Sequence, residues 1–283
     1  MDIVIILLCV PLYVVNSFCD KYLSAKAGER YNAAYNALKF LLGSIVLLPL
    51  FLIDGAPRFE WGAIVCGLGC GVMYAVNKTL MIKGLQQSSV SFMTFCHAAG
   101  MIIPCILGHF LWDEPMSLFS AIGIVLAVLS IILIKDAKKE EQKKPLGLVI
   151  GLLILLTSGG VMIMQKCMGK YFANQSVSAY NFYSFIVAFI LLLLFIKQKP
   201  EKQTLFKTLL PCASGSALSL CAISLVMTAL SATVPSVIMF PLFNGTGIIL
   251  IALLSALFFK EKLTKNKIIG LLIGLVGLCL VNF

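Results

Sequence analysis

The sequence predicts an all-α integral membrane protein in which ten transmembrane helices form two inverted five-helix repeats. Three observations lead there. First, 60% of the residues are hydrophobic and 12% are charged, too few charges to cover a soluble domain of 283 residues. Second, ten apolar stretches approach the length of about 20 residues that spans a bilayer. They are roughly 2–20, 33–53, 60–82, 88–111, 117–135, 146–168, 176–197, 205–230, 233–259 and 267–282. Third, one junction occurs twice: FLWDEPMSLFSAIGIVLAV from Phe110 and LFFKEKLTKNKIIGLLIGL from Leu257.

In both copies of that junction an apolar run ends in an acid, Glu114 or Glu261. A hydroxyl residue follows three positions later (Ser117 or Thr264), and a glycine nine positions after the acid (Gly123 or Gly270). Ser117 and Thr264 are expected N-caps, because their oxygens can accept orphan N–H groups of the helix each copy opens. The offset of 147 residues holds back through Asn77/Ser224, Ser89/Ser236 and His97/Asn244. Upstream it slips to 145, pairing Ala34–Asn36 with Ala179–Asn181 and Lys21 with Lys166. The chain therefore divides into repeats 1–137 and 146–283 around a charged linker, 138–145. Five spans per repeat is odd, so the second copy is inverted relative to the first.

The net charge of +10 does not point to nucleic acid, because it is distributed over inter-helix loops. Eighteen of the 22 basic residues, helix ends included, follow odd-numbered segments, against Arg58, Lys166 and Lys170 on the other side, with Lys78 left out as intramembrane. Basic loops stay in the cytoplasm, so both termini are expected outside it. The ten cysteines lack CxxC or metal-ligand spacing and are expected to pack as small apolar side chains. The N-terminal segment lacks a basic n-region and a small-residue cleavage site, and is expected to be the first mature helix. Short connections leave no room for a soluble catalytic domain, and no cofactor or metal is implied.

Taken in order, segment one carries Tyr13, Asn16 and Asp20 on one face, and segment two carries Asn32, Tyr35, Asn36 and Lys39 on one face. Polar groups inside lipid need a partner or a wet cavity. Segment three opens with the small run Gly67–Gly71, which lets a neighbour approach closely, and then presents Tyr74, Asn77 and Lys78. Segment four holds His97 before AlaAlaGly and Pro104. Segment six ends near Lys166. Segment seven repeats Tyr35–Asn36 as Tyr180–Asn181, and segment eight is small at Ser214–Ala217. Segment nine has Pro235, Pro241 and Asn244–Gly247 at the depth matching segment four. Breaks at matching depths in both halves are expected to mark a binding site. Segments five and ten are apolar after their caps and are expected to be scaffold or the surface of a homodimer.

The duplicated Glu–x–x–Ser/Thr junction between the fourth and fifth helix of each half resembles the drug/metabolite transporter superfamily, its EamA-like members most closely. The resemblance covers essentially the whole chain. It implies that helices 1–4 and 6–9 surround a central cavity, with helices 5 and 10 outside it. Two features depart from the pattern. A proline often found thirteen residues before the junction glutamate is Met101 or Ile248 here, and the family's usual cytoplasmic termini oppose the loop charges.

The candidate substrate-binding residues are Asn16, Asn36, Lys39, Tyr74, Asn77, Lys78, His97, Tyr180, Asn181 and Asn244. No catalytic residue is expected: two histidines twelve apart, without clustered acids, do not make an intramembrane enzyme. A lysine at the bilayer centre costs about 2.5–3.5 kcal/mol on insertion scales. Lys39 and Lys78 either snorkel to the interface or line a cavity that attracts an anion. Asp20 lies near the end of segment one, and no mid-membrane carboxylate is expected near the lysines. The function expected is therefore secondary transport, by alternating access, of a small polar metabolite such as an amino acid, organic acid or sugar phosphate. The alternatives are a membrane enzyme acting on a lipid-linked substrate and a proton-coupled drug exporter. The expected partners are the substrate, membrane lipids and a second copy through segments five and ten. The expected location is the plasma (inner) membrane.

Overall fold

A computed structural model describes residues 2–27, 29–54, 59–87, 90–134, 145–196, 198–258 and 265–281. Among these the regular structure is helical throughout. In chain order the helices are α1 (Asp2–Ala27), α2 (Asn32–Ile53), α3 (Trp61–Gln87), α4 (Val90–Ala99), α5 (Ile102–Trp112) and α6 (Leu118–Ile134). The second half follows with α7 (Pro145–Tyr171), α8 (Val177–Leu193), α9 (Leu210–Leu230), α10 (Ser236–Phe258) and α11 (Lys265–Val281). Among the described residues five of the helices are long and apolar enough to cross a membrane, and the shorter apolar stretches Cys96–Trp112, Leu118–Ser130, Val177–Leu193, Ser236–Ile251 and Ile268–Gly277 occupy the other expected positions. Glu261, Thr264 and the linker residues 138–144 lie outside the described residues.

The chain forms two compact units, and each draws on both sequence halves. One contains Met1–Pro11, Gly84–Met162 and Val234–Phe283; the other contains Leu12–Lys83 and Ile163–Thr233. The long helices α1 and α7 contribute a portion to each.

In the unit built on Leu12–Lys83 and Ile163–Thr233, α2 packs along α8, and α9 packs on both. The ring of Phe40 meets that of Phe185, its repeat equivalent, edge to face at 5.3 Å. Ala37, Leu47, Ala188 and Leu192 fill the same core. The expected close approach at Gly67–Gly71 is present. A Cβ on Gly67 would sit 2.9 Å from the Tyr180 carbonyl oxygen, and one on Gly71 would sit 2.6 Å from that of Ser184. Two glycines one turn apart thus let α3 lie against the backbone of α8. At one end of this unit, Ser176 caps α8 by accepting from Ala179 N–H at 3.1 Å. Glu60 Oε2 accepts from Ser176 N–H at 2.7 Å, an acid at the positive end of a helix. Gln175 Oε1 accepts from Ala63 N–H at 2.9 Å, and Asp54 accepts from Ser178. At the other end, Arg30 donates to Gln198.

In the second unit, α6 and α11 lie side by side, with Ser130 so close to Gly274 that a Cβ there would meet its Oγ. Ser117 is the N-cap of α6, accepting from Ser120 N–H at 3.0 Å. Glu114 caps a different helix: its Oε2 accepts from Ser236 N–H, the first residue of α10, at 2.6 Å. Asp113, with φ 49°, turns the chain out of α5 so that this carboxylate can reach across.

Of the two expected helix breaks, one is present. Segment four is divided at Gly100–Met101 into α4 and α5. Pro104 has no N–H for the Gly100 carbonyl, which takes Ile103 N–H instead at 3.2 Å. The His97 carbonyl, which takes the Gly100 N–H at 3.3 Å, also accepts from Ser158 Oγ on α7 at 2.8 Å. Gly100 is pressed against the backbone of Leu155 and Gly159 at that point. Segment nine is not broken: α10 runs helically through Pro241 and Asn244–Gly247. A single proline removes one hydrogen bond and bends a helix without ending it unless a neighbour supplies the missing partners.

Candidate functional site

The polar faces read from segments one, two and three meet in the unit built on Leu12–Lys83 and Ile163–Thr233. Helix α1 continues seven residues past Asp20, so that carboxylate belongs to the helix interior rather than to its end. Lys39 is fully buried, and its Nζ lies 2.8 Å from Asp20 Oδ1. The same ammonium donates to Asn16 Oδ1 at 3.3 Å and lies over the Tyr35 ring, 4.8 Å from its centroid. Tyr35 donates its hydroxyl to Asp20 Oδ1 at 2.6 Å and shares a 2.7 Å hydrogen bond with Ser216 on α9. Three helices, α1, α2 and α9, thus build one hydrogen-bonded charge cluster.

This rules out one alternative for Lys39 and overturns one expectation. Lys39 does not snorkel, since none of its side chain is exposed. The lysines are also not without a carboxylate, because Asp20 is Lys39's counter-ion. Asp20, Tyr35 and Ser216 were not in the candidate set. The signal for Asp20 was present in its placement one turn after Asn16 on the same face. The apolar stretch stops at that residue, and this hid the continuing helix.

Lys78 is the third charge. On α3, one turn before it, Tyr74 sets its ring 5.3 Å from that of Phe40, beside Lys39. Lys78 lies within electrostatic range of both Lys39 and Asp20. Asn77 next to it is buried. Lys166 is likewise fully buried in this unit and is engaged in an interaction of its own.

The asparagines share a device. Asn36 Nδ2 donates to the Asn32 carbonyl at 2.8 Å, and Asn181 Nδ2 donates to the Val177 carbonyl at 2.8 Å. Each amide donates an N–H to its own helix. Asn181 Oδ1 accepts from Ser224 on α9. Tyr180 is fully buried beside Cys70, and its hydroxyl has no hydrogen-bond partner among the described residues. His97 and Asn244 belong to the other unit. His97 is half-buried at the break between α4 and α5, and Asn244 donates to the Phe240 carbonyl at 2.9 Å. All ten cysteines are free, seven of them buried as packing side chains. No cluster of metal-ligating side chains occurs among the described residues.

No curated protein matches the chain. Among solved structures, 27 chains match. One, described as a crystal structure of a protein, is 13% identical with a TM-score of 0.80, over 99% of this chain and 95% of that one. At that identity the likeness is one of fold. The EamA-like transporter family matches residues 2–135 and again residues 145–283. With both halves matched, and with apolar helices of membrane-spanning length, the chain belongs to the EamA-like transporter family and is a multi-pass integral membrane protein.

Proposed function

We propose that the protein is a secondary transporter that moves a small polar metabolite carrying an anionic group, by alternating access, with Lys78 as the anion's partner. Membership in a family of transporters supports transport over membrane-enzyme chemistry. The observation that carries the substrate reading is the charge cluster. Lys39 is neutralised by Asp20 at 2.8 Å, whereas Lys78, a second ammonium within electrostatic range of both, has no carboxylate of its own among the described residues. A cation within a membrane protein is stabilised by a counter-charge, and an arriving carboxylate or phosphate supplies one. Organic acids, amino acids and sugar phosphates all qualify. Asn77 and Tyr74 on the same helix offer the accompanying hydrogen bonds, and Tyr180 and Asn181 of the same unit remain in the proposed set.

The proposed architecture has ten spans in two inverted repeats, 1–137 and 146–283, joined by the linker 138–145. Basic loops face the cytoplasm of the plasma (inner) membrane, and a homodimer pairs the outer faces of α6 and α11. Cysteine-accessibility labelling in intact cells should leave positions 138–144 unlabelled from outside; rapid labelling there reverses the orientation.

Uptake into vesicles from pooled metabolites identifies the substrate. Lys78→Gln should then raise KM for it at least tenfold with little change in abundance, and Lys78→Arg should recover part of the loss because a guanidinium differs in reach and shape. Unchanged kinetics in Lys78→Gln removes the anion site. Asp20 favours one second reading, proton-coupled drug export, since it is a carboxylate within a membrane helix. That reading predicts uptake that depends on a pH gradient and is lost in Asp20→Asn.

A further inference from the structure

The cluster around α2 does not cancel its own charge. Asp20 Oδ1 receives both the Lys39 ammonium at 2.8 Å and the Tyr35 hydroxyl at 2.6 Å, so one negative charge answers one positive charge. Lys78, one turn beyond the Tyr74–Phe40 contact, adds a second positive charge within range of both. Asp20, Lys39 and Lys78 together carry one formal positive charge. At the repeat-equivalent positions the second half has Gln165, Ser184 and Leu225, and carries none. Asp20 is also the accessible member of the pair, with 38% of its side chain exposed while Lys39 has none.

Resting on the anion-site reading above, we propose that this cluster counts charge: it selects a substrate of one net negative charge, and Asp20 is the residue that holds the count at one. Without its carboxylate, Lys39 and Lys78 form a two-plus site, and that site suits a dianion. A desolvated charge left unanswered is costly, so a monoanion would satisfy only half of it. Without Lys78 the remaining pair is balanced, and a neutral substrate fits best. Asp20 therefore acts on specificity through charge balance, and Tyr35 and Ser216 act by holding its Oδ1 against Lys39.

The test uses three probes of one skeleton that differ in charge: succinamide (neutral), succinamate (monoanion) and succinate (dianion). Binding is read as the stabilisation each gives the purified full chain against thermal unfolding. Wild type should bind succinamate best. Asp20→Asn should move the preference at least tenfold towards succinate, and Lys78→Gln should move it towards succinamide. The double variant Asp20→Asn/Lys39→Gln, again at one net positive charge, should return to succinamate, a reversal that a purely structural ion pair does not produce. If Asp20→Asn does not fold, the double variant and Lys78→Gln decide the matter by the same criteria. An unchanged order in the variants, or no stabilisation by any probe, overturns the charge count. Vesicle uptake that persists in that case leaves the transporter reading standing.

Discussion

Helices α2 and α8 are copies of one segment, packed on each other through the equivalent rings of Phe40 and Phe185, yet their polar surroundings differ. Beside α2, Tyr35 is tied to Asp20 and Ser216, and Lys39 is paired. Beside α8, the equivalent Tyr180 has a hydroxyl that lies by the Cys70 thiol and makes no hydrogen bond among the described residues, the equivalent of Lys39 is Ser184, and the equivalent of Ser216 is Gly69. Ser184 turns its hydroxyl back onto the Tyr180 carbonyl at 2.8 Å. Where α8 carries no charge, α3 closes directly onto its backbone through Gly67 and Gly71. Duplication thus preserved the packing of the helices and left the chemistry to one side.

That contrast fixes the order of several expected effects. Asp20→Asn leaves the fully buried Lys39 without its counter-ion. It should cost about 3 kcal/mol, the lower end for breaking a buried pair because Asp20 is partly exposed. Ser184→Ala, at the position matching Lys39, should cost under about 1 kcal/mol. Chemical unfolding of the two purified variants makes the comparison, and equal losses would mean the ion pair carries no special weight.

Gly71→Val comes next. Its Cβ would lie 2.6 Å from the Ser184 carbonyl, and overpacking of this kind costs about 1–3 kcal/mol. The equivalent residue on α9, Leu218, is already bulky and 56% exposed, so Leu218→Ala should change the melting temperature little. A tolerated valine at position 71 would show that α3 and α8 can move apart.

The two tyrosines give the smallest and cleanest pair. Tyr35→Phe removes a hydrogen bond to a carboxylate and one to a hydroxyl, and should cost about 1.5–2 kcal/mol. Tyr180→Phe removes a buried hydroxyl that makes no hydrogen bond among the described residues, and should be within about 0.5 kcal/mol of neutral, or stabilising. Thermal unfolding of both variants would break the comparison if Tyr180→Phe proved the more damaging.

Which polar residues mattered was only half legible beforehand. The faces of segments one, two and three follow from helical spacing, and the structure brings Asn16, Lys39 and Lys78 into one cluster as those faces suggest. The partnership of Asp20 and Lys39 spans two helices and depends on their mutual rotation, which no spacing within either helix encodes. Glu114 shows the same limit. Its capping role follows from its place at a helix junction, but the helix it caps begins at Ser236, 122 residues away.

What the sequence alone determined were the local and cumulative properties. Membrane residence follows from hydropathy summed over about 20 residues, the duplication from paired motifs, the Ser117 cap from one hydroxyl beside one helix start, and the close approach of α3 from two small residues a turn apart. Tertiary structure alone decided which proline broke a helix. Pro104 and Pro241 remove the same backbone donor, but at the break between α4 and α5 the neighbouring α7 offers Ser158 as a second donor to the His97 carbonyl and a glycine to pack against. In α10 the chain stays helical through Pro241, and Asn244 spends its amide on its own helix. A break in the membrane needs a second helix to satisfy the freed groups, and only the folded chain brings that helix alongside.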